Sequence, residues 1–480
     1  MCTEAIMLSI IFVPLVGSFL LPLIGRVSVR LRNYVAFGLV LATFLLAASL
    51  IPMARAGHNV TFSRQLVFGF SSIFNADGLA VFMASVASFI SLLIVLYSFG
   101  YIDHYEHQSE YYFMVVFFLG AMMGLVMASN LLVLYVFWEL TAIASWRLIG
   151  FFRDKHQVMR ADKAFLMTFF GAVVMLIGFI VVYQQTGSFD LATIKANLNG
   201  GTLSNLAVFL ILFGILSKSA TLPFHTWLPD AGVAPSPVTA LLHAAILVKI
   251  GVYVFARLFV VTFPIEQIWH TVVPIIAAVS AIVAAGAALI ETDIKRIIAY
   301  STISQIGFIF FGLSTGNMVG VAGGLLYILA HGLSKAGLFL CAGIVEQNTK
   351  IKDITRLGGL IKTMPFTAIA FLACAVSVMG IPPFSGFFAK YMVFAGGIQA
   401  GQIGISMFFM VGAFMTILYL LRVFNKVFMG EPGESADSEG SPVMVFTVVA
   451  FAVLSLISGI LIHYPAQFVQ TVLSQLPGVK

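Results

Sequence analysis

The sequence predicts an all-α, polytopic membrane protein with about fourteen transmembrane segments. Three observations carry that reading. Of 480 residues, 60% are hydrophobic and 9% are charged, against about a quarter charged in a soluble domain. Apolar runs of about 20 residues, enough to cross a hydrocarbon core of about 30 Å, recur along the whole chain. Two of these runs are broken by proline beside a lysine, at SKSATLPFHTWLPDAG (217–232) and VMGIPPFSGFFAKYMVF (378–394).

In chain order the runs, numbered spans one to fourteen, lie near 5–25, 33–53, 78–101, 111–128, 130–152, 163–184, 203–220, 239–260, 270–290, 294–313, 318–345, 365–398, 403–428 and 443–463. Lipid-facing strands are excluded, because their open backbone groups would find no partner in hydrocarbon. The first run follows Glu4 with no basic residue ahead of it, which marks a retained span and not a cleaved signal peptide. The interval 103–110, DHYEHQSE, is acidic, but acidic residues weigh little in topology.

Basic residues set the orientation. One set of alternate loops carries Arg26, Arg30 and Arg32, then Arg153, Lys155, Arg160 and Lys163, then Lys295 and Arg296, then Lys350, Lys352, Arg356 and Lys362, then Arg422 and Lys426. The other set carries only Arg55, Arg64, Lys195 and Lys480. The positive-inside rule places the first set in the cytoplasm of a bacterium or archaeon and both termini outside it. The net charge of +6 is thereby accounted for as topology, with no nucleic-acid partner. Cys2, Cys341 and Cys374 form no CxxC pair, and no phosphate-binding glycine loop follows a strand. No cofactor, zinc or iron–sulfur site is expected on this chain.

Six basic residues fall inside spans. Arg147 and Arg257 lie near span ends, where their stems can snorkel to the interface. Lys218, Lys249, Lys335 and Lys390 lie deeper or at the breaks, and Glu139 stands alone in LLVLYVFWELTAIASW (131–146). A charge at that depth costs about 3 kcal/mol on insertion scales, so such residues face a bundle interior and mark ion paths. Burial disfavours the charged ammonium and a nearby carboxylate favours it, which poises a lysine to release or take a proton. Histidine titrates near neutrality and relays between neighbours. His331 and Lys335, four apart, share a helix face, whereas His243 and Lys249, six apart, point to different partners. Together with His225, these groups are candidate stations for proton transfer.

The breaks also suggest an internal repeat. Discontinuous helices at matching places in two halves are the mark of inverted-repeat transporters. Spans four to eight (residues 111–262) and nine to thirteen (263–430) would form two five-helix units. Residues 1–110 would supply the first three spans, and 431–480 an acidic loop and the last span. Five is odd, so the second unit enters the membrane inverted.

FWELTAIASW around Glu139, SKSATLPFHTWLPDA around Lys218, LLHAAILVKIGVYVFARL around Lys249, DIKRIIAYSTISQIGFI (293–309), HGLSKAGLFL (331–340) and GIPPFSGFFAK ending at Lys390 all resemble one family. It is that of the antiporter-like membrane subunits of respiratory complex I, of Mrp-type cation/proton antiporters, and of membrane-bound hydrogenases and formate hydrogenlyases. The resemblance implies fourteen helices with the seventh and twelfth broken. It implies that Glu139 pairs with Lys218, that Lys249, His331 and Lys335 continue a hydrophilic axis, and that Lys390 closes the second half. It also implies proton translocation or Na+/H+ exchange within a larger complex. Other membrane subunits, and a peripheral redox module with iron–sulfur, nickel–iron or flavin centres, would be partners.

Some residues depart from the family's patterns. The distal complex I subunit carries an arginine–aspartate pair in helix six; here that stretch has Phe169 and Ala172. Tyr327 stands where some relatives place a histidine, and Lys390 where one complex I subunit has glutamate. The chain ends soon after span fourteen, so a long lateral helix is not expected. These features favour a modular hydrogenase-type or Mrp-like complex over ordinary complex I. The competing reading is a structural or quinone-site scaffold with no ion path of its own.

Overall fold

A computed structural model describes residues 3–63, 74–431 and 438–474. Cys2, Arg64 and Lys480 lie outside the described residues. Among the described residues, 12 helices are long and apolar enough to cross a membrane. Two more segments are interrupted. Span seven is Asn205–Lys218, and span twelve is Pro365–Met379 followed by Ser385–Gln399. The expected fourteen segments are therefore present, with the breaks where proline placed them. A small departure from all-α structure is a two-stranded antiparallel sheet between spans two and three, β1 (Val60–Phe62) with β2 (Phe74–Ala76).

Local chemistry sets the helix starts. Asn130 caps span five (Leu131–Ile149) by accepting from Leu132 N at 2.9 Å. Asp293 caps span ten (Ile294–Ser314) by accepting from Lys295 N at 2.8 Å and Arg296 N at 3.1 Å. Asn317 caps span eleven (Met318–Thr349) through Gly320 N at 2.9 Å. Each side-chain oxygen satisfies a donor that the first helical turn leaves open. The breaks end differently. Gly380 closes the first half of span twelve at φ 83°, and Ala220 follows span seven at φ 51°, both left-handed conformations that end a helix.

Burial sorts the spans into centre and rim. The apolar windows of spans ten and eleven are each 94% buried, while that of span two, Val29–Arg55, is 28% buried. The centre of the bundle is thus spans eight, ten and eleven, where the buried lysines and histidines sit. Span eight (Ser236–Thr262) is also irregular. It contains π-helical turns at Leu241–Ala245 and Ala256–Thr262, with Ile246 kinked at φ −123°, ψ −72°. No proline marks the kink at Ile246, so no local residue signal announces it. The kink separates His243 from Lys249.

Close helix contact positions Lys390. A Cβ on Gly323 would lie 2.6 Å from Val393 N and 2.9 Å from Met392 C, both backbone atoms of the helix carrying Lys390. Gly323→Ala must push span eleven and Ser385–Gln399 apart. It is expected to cost about 1–3 kcal/mol, read as a lower unfolding midpoint of the detergent-solubilised protein.

Candidate functional site

The buried charges expected from sequence are all in the interior. Lys218, Lys249, His243, His331 and Lys335 are at most 1% exposed and Lys390 is 4% exposed. Glu139 is partly buried. His225 is placed apart from the others, half-buried in the loop after span seven, with Nδ1 unpartnered.

The Glu139–Lys218 pairing is not a direct ion pair. No nitrogen–oxygen approach within 4.0 Å joins them. Lys218 Nζ instead donates to the carbonyl of Trp138 at 3.2 Å and sits 5.2 Å from the centroid of the Trp138 ring. Glu139 Oε1 is buried without a hydrogen-bond partner. The two groups still act on each other electrostatically, and Tyr135, one turn before Glu139, acts on the same carboxylate. The backbone explains the displacement. Lys218 ends its helix, where the negative end of the helix dipole already favours an ammonium, and the adjacent carbonyl is a ready acceptor. Trp227 Nε1 donates to Ser217 O at 3.0 Å, which satisfies a carbonyl that the break sets free.

Further in, Lys249 Nζ and His331 Nδ1 are 2.5 Å apart, and His331 Nε2 has no partner. Lys335 turns instead to span ten, donating to Ser301 Oγ at 2.5 Å and Ile298 O at 3.2 Å. The shared helix face of His331 and Lys335 therefore serves two neighbours. His243 packs its ring 4.4 Å from that of Phe339, and neither ring nitrogen has a partner.

Lys390 Nζ donates to Val378 O at 2.8 Å, near the end of the first half of span twelve. It also lies 4.6 Å from the Phe308 ring centroid and 5.7 Å from that of Tyr327. Both break lysines, Lys218 and Lys390, are thus held by a carbonyl and aromatic faces.

Neutral groups link these charges, and sequence reading missed them. Ser301 Oγ accepts from Tyr419 O–H at 2.9 Å, and Gln305 Nε2 donates to Tyr419 at 3.4 Å and to Thr416 Oγ1 at 3.2 Å. Tyr327 O–H donates to Gln305 Oε1 at 2.5 Å. A hydrogen-bonded line therefore runs from Lys335 through Ser301, Tyr419 and Gln305 to Tyr327, whose ring faces Lys390. The available signal was Ser301 and Gln305, four apart and polar, within an otherwise apolar span.

At the face carrying the basic loops, two ionic clusters flank the interior. Asp230 pairs with Lys163 at 2.7 Å and with Arg296 at 2.8 Å, and Arg296 continues to Glu291 at 2.8 Å. Burial alone would raise the Asp230 carboxyl, but these two cations outweigh it and hold it below the usual range. Lys295, read from sequence as a loop charge, is 1% exposed; it bonds Glu346 at 3.0 Å and Ala234 O at 2.9 Å. Arg147 pairs with Glu110, joined there by Arg153 at 2.5 Å. Arg257 does not snorkel. It is 5% exposed, locked to Asp77 and to Tyr253 O–H, the latter 3.0 Å from Nε. Asp77 and Arg257 are far apart in sequence, which is why the pair was invisible there. Among the described residues, no group of three or more His, Cys, Asp or Glu could hold a metal ion.

Comparison with known proteins bears on this arrangement. Residues 67–112 match the N-terminal family of NADH-ubiquinone oxidoreductase (complex I) chain 5. The chain is 30% identical to the Na(+)/H(+) antiporter A1 subunit of Staphylococcus haemolyticus, over 96% of its own length and 61% of that protein's. It is 33% identical to a Na(+)/H(+) antiporter subunit from Alkalihalophilus pseudofirmus, over 87% and 56%. The chain thus spans only about three-fifths of these relatives. Its fold matches a chain of the Mrp complex from Dietzia with TM-score 0.91 at 24% identity, covering 99% of this chain and 98% of that one. It also matches a chain of an archaeal membrane-bound sulfane sulfur reductase with TM-score 0.90 at 23% identity, covering 98% and 97%. Residues 128–416, more than half of the chain and including every buried lysine and Glu139, match the family described as NADH:quinone oxidoreductase/Mrp antiporter, TM, and the chain belongs to that family.

Proposed function

We propose that this chain is the ion-translocating membrane subunit of a multi-subunit complex. It moves protons along Glu139, Lys218, Lys249, His331, Lys335 and Lys390, with His243 and His225 in support, in exchange for another monovalent cation. The observation that carries this reading is the buried polar line itself. Four lysines that cost free energy to bury are retained at the centre of the bundle, and two of them are joined by hydrogen bonds to further proton-conducting side chains.

The inverted repeat is part of the proposal. Asn130 bridges Asp190, and Asp293 bridges Asp353. Each pair ties the start of a unit's second span to the loop after its third, and both members are displaced by the same 163 residues (130 to 293, 190 to 353). The breaks then fall in the fourth span of each unit. Basic loops face the cytoplasm and both termini face outwards.

Partners are other membrane subunits. The names of the curated relatives, Na(+)/H(+) and probable K(+)/H(+) antiporter subunits, favour exchange driven by a gradient over a peripheral redox module. Everted membrane vesicles carrying the assembled complex test this. NaCl or KCl, but not choline chloride, is expected to collapse an imposed pH gradient, as read by a fluorescent amine. An equal response to all three salts would sink the exchange reading. Nickel or iron in the purified complex would make it a redox-driven pump instead.

A further inference from the structure

The face opposite the basic loops holds a cavity outside the buried axis. Its volume is about 220 Å³, and Asn75, Asp77, Asp190, Lys195 and Arg257 are among its walls. That volume exceeds several-fold the roughly 30 Å³ share of one water molecule.

The charges in the walls are unequally committed. Asp77 caps span three (Gly78–Tyr101) through Ala80 N at 2.9 Å and takes both Arg257 amino groups, one at 2.7 Å. Burial alone would raise its carboxyl, but Arg257 holds it below the usual range. Asp77 and Arg257 therefore cancel. Asp190 is only half used. Its Oδ1 accepts from Thr193 N and Thr193 Oγ1, each at 2.9 Å, while Oδ2 has no partner although the residue is 7% exposed. Asn75 Oδ1 is likewise buried without a donor. Two acceptor oxygens thus border one cavity unsatisfied, against the general rule for buried polar atoms.

We infer that this cavity is a binding site for a monovalent metal cation, ligated by Asp190 Oδ2 and Asn75 Oδ1, with water completing the shell. An electropositive occupant is what unmet acceptors require. A divalent ion would seek six to eight oxygens with several carboxylates, and only one carboxylate here is uncompensated. Anions are disfavoured because Arg257 is already consumed by Asp77 and Tyr253. Lys195, on the same wall and exposed, supplies a tethered ammonium that competes with the cation and lets it leave. The site does not depend on the proton path along the buried axis.

The test is calorimetric titration of the purified complex in nanodiscs with NaCl or KCl at constant ionic strength, with choline chloride as control. Saturable binding of Na+ or K+ is expected. Asp190→Asn should weaken it about ten-fold or more while keeping the fold, because asparagine caps a helix as well as aspartate does. Lys195→Gln should tighten it. Absence of saturable binding, or unchanged affinity in Asp190→Asn, would overturn the assignment. A heat that follows pH and not metal concentration would overturn it too, in favour of hydronium. Glu139→Gln should leave this binding intact, which separates failure of the site from failure of the axis.

Discussion

Glu139→Gln is expected to abolish cation-coupled proton movement while the complex still assembles in the membrane. Glutamine keeps the size of the side chain and removes only its charge. Glu139 Oε1 has no hydrogen-bond partner to lose, so the substitution disturbs little of the structure. What it removes is the one acidic charge acting on Lys218, a fully buried ammonium whose direct acceptor is a neutral carbonyl. At an effective dielectric near 20 and a separation of about 5 Å, such an influence is on the order of 3 kcal/mol. That is about a hundred-fold in the balance between the charged and neutral lysine. Lys218→Ala should produce the same loss, and the double variant should lose little more, because neighbouring groups acting as a unit are not additive. Vesicle transport at matched protein levels reads the result. Wild-type coupling in Glu139→Gln would remove this residue from the path and return the scaffold reading to first place.

The direct Glu139–Lys218 bridge expected from sequence gives way to an indirect arrangement, and the reason is general. Charged residues in apolar runs are conspicuous because each costs free energy, so Glu139, Lys218, Lys249, Lys335 and Lys390 could be read from the chain. Their acceptors could not. The carbonyls of Trp138 and Val378 belong to the backbone, and any residue type would supply them. The fourteen segments and both breaks were legible because hydrophobic length and proline are local signals. The π-helical turns around His243 and the Asp77–Arg257 pair depend on how distant spans pack. Tyr327, Tyr419 and Gln305 were missed because neutral polar residues pass as ordinary helix surface. Only the packing shows that they bond one another between Lys335 and Lys390.

Lys390→Met is expected to cut transport at least as deeply as Glu139→Gln, yet leave the protein as stable as before or more so. Lys390 is 4% exposed, and its hydrogen bond goes to Val378 O. No carboxylate forms a salt bridge with it among the described residues. Methionine retains the flexible apolar stem that packs against Phe308 and Tyr327 and removes the cost of burying an ammonium. Replacing buried charge with a well-packed apolar group is often neutral or stabilising. A residue kept only for packing would show the reverse, with stability falling and transport intact. Gln305→Leu provides the intermediate case. It breaks the neutral line between Tyr327 and Tyr419 without touching a charge, and transport should fall less than in Lys390→Met. Equal transport in wild type and Lys390→Met would end the axis at Lys335. A loss of both stability and transport in Lys390→Met would instead assign the lysine a structural role at the break.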